Sequence, residues 1–349
     1  MSVHALPRIA IYGTGNIGAY LGARLHDHAR VTFIGRHRVI DTLRLCGISW
    51  SDLNGNHGHI GPRALELQLN PFAAAKAHLV LVTVKSSATA AVARELAEVV
   101  APSVPIISFQ NGLNNTAQLR AALPGHPVLA GMVPFNVLQR DRASFHQGSS
   151  GGLMVESHPS LAPFLPVFAQ AGLPIGTRHD MPAVQAAKLL LNLNNAINAL
   201  SDLPLRDELS RRHWRRCLAL AQREALGVFA AAGIRPARLT PLPPRLLPSV
   251  LDLPDALFQR IAGKLLAIDP YARSSTWEDL ESGRPTEVDA INGEIVRLAA
   301  RQGMTAPVNA RLVALIREAE RRRTVWQGEQ LLQTLRQSRP AYERPMAIL

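Results

Sequence analysis

Apolar residues in the first half of the chain come in short unbroken runs; in the second half they recur at helical spacing. Residues 9–12, 30–35, 78–84 and 104–109 read as buried strands, and residues 16–26, 87–100 and 114–123 between them as helices. Continuous apolar strands alternating with amphipathic helices predict a parallel sheet covered on both faces. Right-handed crossovers make such a sheet doubly wound. From residue 127 to 156 the pattern changes to extended segments broken by Gly148 to Gly152, which predicts an antiparallel addition at the sheet edge. Residues 158–171 are expected as a further helix.

From residue 181 onward the strand signals vanish. Helices are expected over residues 181–201, 211–232, 287–302 and 310–320, with a proline-rich irregular stretch over 235–254 that opens a long connection over 235–269. The polar stretch after residue 324 carries Pro340 and Pro345 and reads as a tail. The expected organisation is an α/β domain with a doubly wound sheet over residues 1–180, an all-α domain over 181–325 and a tail over 326–349. No internal repeat is visible.

The turn between the first strand and first helix reads Gly13-Thr14-Gly15-Asn16-Ile17-Gly18. A G-x-G-x-x-G run in that place is a dinucleotide fingerprint; elsewhere it is a chance match. Gly13 permits the tight turn, Gly15 keeps side chains away from the pyrophosphate, and Gly18 lets helix and strand pack closely. The helix N-terminus adds N–H donors and a positive dipole end. A glycine-rich turn in an unrelated α/β protein is the alternative. The second strand ends at Gly35 and is followed by Arg36-His37-Arg38, with no carboxylate before Asp41. An NAD site places Asp or Glu there for the ribose 2′-hydroxyl. A guanidinium instead grips a 2′-phosphate through paired donors. Arg36 therefore points to NADP, with Arg38 as a second candidate. The competing reading makes both ordinary surface charges.

With 349 residues, 47% of them hydrophobic, the chain has room for two domains with sizeable cores. No secretory start is visible, and no apolar run reaches the roughly 18–20 residues that a bilayer requires. Cys46 and Cys217 lie far apart without metal-ligand spacing and are each expected as buried free thiols in a reducing cytoplasm. No metal site is expected, since His57-Gly-His59 lacks a third ligand. The net charge of +12 raises the question of nucleic acid. Only four of the 38 basic residues are lysine, however, and the arginines are spread along most of the chain. The clusters at 211–216 and 321–323 read as solvated helix faces, and aromatics at 5% are too scarce for base stacking. A positive field still suits a polyanionic cofactor and an acidic substrate.

Three polar constellations interrupt this pattern. Lys188 opens Lys188-Leu-Leu-Leu-Asn192-Leu-Asn194-Asn195-Ala-Ile-Asn198. On an ideal helix Asn192 lies about 40° from Lys188 and Asn195 about 20° the other way, so the three share a face. A lysine held beside amides and desolvated gains a pKa useful for acid–base work; the same helix also suits a lysine that snorkels to water. The second constellation runs from Ser274-Ser275 to Glu287 and Asp289. Capping serines and acidic residues complementing a helix dipole are, on these residues alone, the better explanation. The third comprises Asn111-Gly112 and Lys85, each after an expected strand. They sit where open parallel sheets bind ligands, or are simply polar strand ends meeting water.

Taken together these blocks resemble the ketopantoate reductase family, the 2-dehydropantoate 2-reductases. Gly13-x-Gly15-x-x-Gly18, Val82-Thr-Val84-Lys85, Gln110-Asn111-Gly112, Lys188-x-x-x-Asn192 and Ser274-Ser275 through Glu287 to Asn292-Gly293 occur in that order over residues 8–320. The resemblance implies a Rossmann domain joined to an all-helical domain, with the active site in the cleft between them. It implies NADPH-dependent reduction of 2-dehydropantoate to pantoate. By that analogy Lys188 is the general acid and Glu287 hydrogen-bonds the substrate hydroxyl. Asn192 and a later asparagine anchor the substrate, and Ser275 contacts its carboxylate. Arg36 corresponds to the 2′-phosphate contact, while Lys85 and Asn111 lie on the cofactor side with the glycine turn. Position 196, where the family commonly has its second asparagine, is alanine. Asn195 is preferred from its face, with Asn198 the other choice. The connection at 235–269 bears on the pocket's shape.

The alternatives are a reductase of another short, branched or aryl 2-oxo acid, an NADP-binding regulator without catalysis, and a basic nucleic-acid-associated protein. A sensor needs no proton donor, which speaks against the second, and no reader motif supports the third. The expected protein is a cytoplasmic enzyme with a small-molecule substrate, without nucleic-acid or membrane partners, and compatible with a homodimer.

Overall fold

Alternate residues of β1 (Arg8–Tyr12) serve opposite faces of a sheet: Ile9 and Ile11 join one buried cluster, Ala10 and Tyr12 another. β1 belongs to the first of two compact units, Met1–Met181 and Pro182–Leu349, of a computed structural model that describes residues 6–262 and 272–338. Its companions are β2 (Arg30–Ile34), β3 (Ile48–Ser51), β4 (His57–Ile60), β5 (Glu66–Gln68), β6 (Leu79–Val82), β7 (Ile106–Ser108), β8 (Val128–Met132), β9 (Val137–Asp141), β10 (Ser144–Gln147), β11 (Leu153–Glu156) and β12 (Ile175–Arg178). β1 and seven of them form one eight-stranded sheet in the order β12-β11-β8-β7-β6-β1-β2-β5. From β5 to β8 all pairs are parallel; β11 runs antiparallel to β8, and β12 parallel to β11.

Helices cover both faces, as the apolar strands require. α1 (Asn16–Leu25), α2 (His37–Cys46) and α5 (Leu165–Gln170) contribute to the cluster containing Ile9 and Ile11. α3 (Thr89–Val99) and α4 (Asn115–Ala122) contribute to the one containing Ala10 and Tyr12. The chain runs from β1 to β2 on one side and later crosses to β6 on the other. The strand order therefore reverses at β1, and the carboxyl ends of β1 and β6 flank the place where doubly wound sheets take ligands.

The edge differs in detail from the sequence expectation. Within 127–156, β8 extends the parallel sheet and only β11 is antiparallel to it. β9 and β10 instead join β3 and β4 in a second sheet, ordered β4-β3-β10-β9. The helix expected over 158–171 is a short turn followed by α5. Cys46, expected to be buried, is exposed at the end of α2, because that helix buries only Ile40 and Leu43; Cys217 is buried.

The second unit is helical: α6 (Met181–Asn192), α7 (Asn194–Ser201), α8 (Leu205–Ser210), α9 (Arg212–Ala231), α10 (Leu247–Leu251), α11 (Asp255–Ala262), α12 (Ser275–Glu281), α13 (Asn292–Arg301), α14 (Pro307–Arg321) and α15 (Gly328–Gln337). The single helix expected over 181–201 is interrupted at Leu193. α13 begins at Asn292, not at 287; residues 287–291 form successive turns, and Ile291 has non-helical angles (φ −107°, ψ −89°). The tail expected from 326 includes α15, which buries Leu331, Leu332 and Leu335 and packs on α9; residues 339–349 lie outside the described residues. The connection expected over 235–269 contains α10 and α11, and its part at 263–269 also lies outside them. Among the described residues no helix is long and apolar enough to cross a membrane.

The arginine cluster at 211–216 is not only a solvated face. Arg215 is fully buried. Its guanidinium donates to the carbonyl oxygens of Leu209, Ser210, Leu251 and Leu253 at 2.7–3.2 Å, pairs with Asp255 at 2.9 Å and stacks over Phe258 at 4.0 Å. It satisfies the carbonyls that end α8 and α10, where helical hydrogen bonding runs out. Arg215→Leu leaves those four carbonyls without this donor and is expected to cost about 3 kcal/mol or more in urea unfolding. An unchanged midpoint would show that the ends of α8 and α10 are held by something else.

Candidate active site

In the first unit the candidate groups are mostly backbone. Gly13 follows β1 with φ +111°, and a Cβ there would lie 2.6 Å from the amide nitrogen of Val84. Gly18 presses on the Gly13 carbonyl oxygen and the Thr83 hydroxyl, leaving no room for a side chain. Thr83 Oγ1 donates to the Gly13 carbonyl at 2.6 Å, which locks the turn onto the end of β6. Gly15 is different. It is the exposed N-cap of α1 in extended conformation (φ −82°), and a Cβ there meets nothing within 4 Å. The geometry thus separates two glycines required by packing from one that keeps an open space clear. That space lies at the first turn of α1, where helix N–H groups are unsatisfied by the helix itself. A phosphate fits this cradle.

The neighbouring side chains divide between scaffold and rim. Thr14 is buried, and its hydroxyl donates to the Ile34 carbonyl at 3.0 Å; Asn16 Nδ2 donates to the Val137 carbonyl at 3.1 Å; Ile17 packs on the core. At these three positions it is the backbone N–H groups that remain suited to an anion. Arg36 is the exposed N-cap of α2, directly after the β2 strand end. Lys85 and Asn111 follow the ends of β6 and β7, and Ser86 Oγ joins them by donating to the Asn111 carbonyl at 3.1 Å. The buried Gln110 holds these ends in place: its Nε2 donates to the Val84 carbonyl at 3.1 Å and to Thr89 Oγ1 at 2.7 Å.

In the second unit the candidate groups are side chains. Lys188 and Asn192 lie one turn apart on α6, both half-buried. Burial brings the Lys188 ammonium down from 10.5 to about 8, since low-dielectric surroundings disfavour the charged form. Beyond the break at Leu193, Asn195 Nδ2 donates to Ser275 Oγ at 3.4 Å, and its carbonyl accepts from Ser274 Oγ at 3.1 Å. Ser274 also caps α12 by accepting from the Trp277 amide at 3.2 Å. The structure therefore brings Asn195 and Ser275 together. Half-buried Glu287 begins the turns before α13, just after Thr286, whose amide and hydroxyl both donate to Glu320 Oε1.

Asn198 is a correction. It was a candidate for the substrate, but it is fully buried and its amide is committed. Nδ2 donates to the Leu203 carbonyl at 2.9 Å and to Glu208 Oε2 at 2.8 Å, and Oδ1 accepts from the Ser274 amide at 2.9 Å. It acts as a strut behind the serines. Sequence reasoning also missed Glu208 and Asp202. Asp202 ends α7 in the left-handed region (φ 56°) and accepts from Trp277 Nε1 at 2.6 Å while pairing with Arg273 and Arg323. A short polar residue ending a helix before Leu-Pro was the available signal. Arg323 thereby leaves the solvated face expected for 321–323.

Residues 9–160 match the family model for ketopantoate reductase PanE/ApbA, and residues 180–320 match the model for its C-terminal part. The chain is 27% identical over 253 residues to a 2-dehydropantoate 2-reductase of Caulobacter vibrioides, covering 72% of this chain and 80% of that one. It is 24% identical over 322 residues to a 2-dehydropantoate 2-reductase of Halobacterium salinarum, covering 90% and 99%. Among solved structures, a PanE/ApbA family ketopantoate reductase from Ralstonia eutropha JMP134 aligns with a TM-score of 0.77 at 27% identity, over 90% of this chain and 99% of that one. The two matched models together span most of the chain, which belongs to the ketopantoate reductase PanE/ApbA family. Fold and family point to an NAD(P)-dependent oxidoreductase.

The contrast between Gly15 and Gly18 gives a test that separates binding from folding. Gly15→Ala is expected to leave thermal stability nearly unchanged, within about 0.5 kcal/mol, and to weaken dinucleotide binding, read by fluorescence titration. Gly18→Ala is expected to lower the thermal midpoint itself. Full cofactor affinity in Gly15→Ala would show that the open space is not the phosphate seat.

Proposed function

We propose that this member of the family reduces 2-dehydropantoate, a short branched 2-oxo acid, to pantoate with NADPH. The observation that carries the reading is Lys188, a half-buried lysine in an apolar helix whose ammonium is brought to about 8 by burial. Such a group is charged at neutral pH yet releases its proton readily, as a general acid must.

The first unit holds the cofactor. The first-turn N–H groups of Asn16, Ile17 and Gly18 bind the pyrophosphate beside the open side of Gly15, and the turn Gly13-Thr14-Gly15 shapes the seat. Arg36 takes the 2′-phosphate, and Lys85 and Asn111 orient the nicotinamide end. Bound NADPH supplies a hydride to the carbonyl carbon. Lys188 donates a hydrogen bond to the carbonyl oxygen, stabilises the negative charge that grows there and transfers its proton, leaving a neutral amine and a 2-hydroxy acid. Glu287 accepts a hydrogen bond from the substrate hydroxyl. Ser275 binds the substrate carboxylate, and Asn192 and Asn195 anchor the substrate beside it. What supports this division is that a polyanion is best met by backbone donors and a guanidinium, while a small oxo acid needs directed side chains.

Loss of nicotinamide absorbance on adding 2-dehydropantoate, against a panel of straight-chain and aryl 2-oxo acids, tests the reading. A faster aryl substrate reassigns the substrate, and no oxidation with any of them removes the reductase. Lys188→Ala is expected to lower kcat by about a hundredfold to ten-thousandfold with NADPH affinity kept; equal losses in both indicate a binding role. Lys188→Arg is expected to be inactive too, because a guanidinium keeps its proton. In the parent enzyme kcat should fall as pH rises through about 8, since the protonated amine is the acting form. Arg36→Ala should weaken NADPH binding by about tenfold to a hundredfold while leaving NADH binding unchanged; equal effects on both would assign Arg36 to the shared part of the cofactor.

A further inference from the structure

Glu208 on α8 is a titratable group that the reaction does not use. It is fully buried, and among the described residues no cation pairs with it. Its Oε2 accepts from Asn198 Nδ2 at 2.8 Å and from Asn194 Nδ2 at 3.2 Å. Its Oε1 is buried without a hydrogen-bond partner, and so is Oδ1 of Asn194. Two acceptors are thus left over on two groups already joined by one hydrogen bond. A proton on Oε1 is the missing donor. It closes a two-point acid–amide pair, with Asn194 Nδ2 donating to Oε2 and the acid hydroxyl donating to Asn194 Oδ1. An ionised Glu208 would instead keep a buried oxygen with neither donor nor cation, the arrangement burial penalises most. Burial pushes this carboxyl up to about 8, against the opposing pull of the Asn198 and Asn194 amides.

The consequence travels through Asn198. Its Nδ2 is shared between Glu208 and the Leu203 carbonyl, which fixes the sense of the amide and turns Oδ1 to the Ser274 N–H. A flipped amide would set donor against donor there. Ser274 is then held at its amide by Asn198 and at its hydroxyl by the Asn195 carbonyl. Ser275 follows directly, within reach of Asn195 Nδ2. We infer that Glu208 is kept as a neutral carboxylic acid paired with Asn194, and that it positions, through Asn198, the Ser274–Ser275 turn that receives the substrate carboxylate. The positioning role rests on the reading of Ser275 under the proposed function. Neutrality has a reason in that reading, because a buried negative charge behind the turn would repel an anionic substrate.

Glu208→Gln keeps the shape and supplies an N–H where the acid has its hydroxyl; Glu208→Leu removes both polar atoms. The leucine variant is expected to raise KM for the 2-oxo acid about tenfold, the worth of one lost hydrogen bond, with KM for NADPH unchanged and kcat little affected. It should also speed hydrogen exchange at the Ser274 amide. Glu208→Gln should restore both. In the infrared, the parent at neutral pH should show a protonated-carboxyl C=O band that Glu208→Gln lacks. Absence of that band overturns the neutral acid. Unchanged KM and exchange in the leucine variant overturn the positioning role. Should leucine fail to fold, Glu208→Asp, whose shorter arm breaks the acid–amide pair, takes its place in both measurements. If the parent reduces no 2-oxo acid, the proposed function fails, while the infrared band and the Ser274 exchange still decide on Glu208.

Discussion

Behind Ser274, one carboxyl and two amides occupy a space almost without access to water, and each polar atom there must find its partner among the others. Asn194 and Asn198 reach Glu208 from the start and middle of α7. Buried amides on an otherwise apolar helix are tolerable only when the groups they bind are brought to them. α8 brings Glu208, and Arg215 closes off the end of α8 by binding the carbonyls of Leu209 and Ser210. The arrangement constrains everything attached to it. α7 presents Asn195 on one side and Asn198 on the other, and the start of α12 is fastened to both. A serine that is to hold a carboxylate gains little from its own hydrogen bond unless its turn is already fixed.

In the proposed function the two units meet different recognition problems with different means. Around the glycine turn the decisive features are absences: no Cβ at Gly13, where the chain turns against Val84, and none at Gly15, where space is kept open. The side chains there look inward, with Thr14 on the Ile34 carbonyl and Gln110 spanning the ends of β6 and β7. In the helical unit the decisive features are side chains whose orientation is fixed by other side chains. A polyanion with several phosphates is recognised by many similar donors, and helix N-termini supply them at no rotamer cost. A small oxo acid has few handles, and each needs a group of defined direction.

The parts legible in the sequence were those decided by neighbours along the chain. The glycine turn, the strand–helix alternation and the place of Arg36 follow from local spacing, and so does the Lys188–Asn192 pair at one turn. The break at Leu193 does not: Leu189, Leu190, Leu193 and Ile197 continue the apolar spacing straight through it. The buried partners of Asn194 and Asn198 come from Glu208, 14 and 10 residues further on. Glu208 itself stands in the charged run Arg206-Asp207-Glu208, where nothing local marks it for burial. The small second sheet escaped notice because β4, His-Gly-His-Ile, has no apolar alternation to read. The expected tail followed from polar composition with Pro340 and Pro345, and the apolar spacing of Leu331, Leu332 and Leu335 that makes α15 went unread.

The arginine bias of the chain gives the lysine at 188 more meaning than its helix alone. Arginine serves here wherever a fixed cation is wanted: buried under two helix ends at Arg215, and bridging Asp202 and Glu281 at Arg323. A guanidinium suits those tasks because it stays charged and its fork of donors satisfies several oxygens at once. Those same properties disqualify it as a proton donor, since no ordinary burial brings it near neutrality. An ammonium responds to desolvation far more strongly, and at position 188 burial has moved it to about 8. In a chain that uses lysine only four times in 38 basic residues, a lysine on an apolar helix is hard to explain as a surface cation. In the proposed reduction it is the group whose charge must be able to leave.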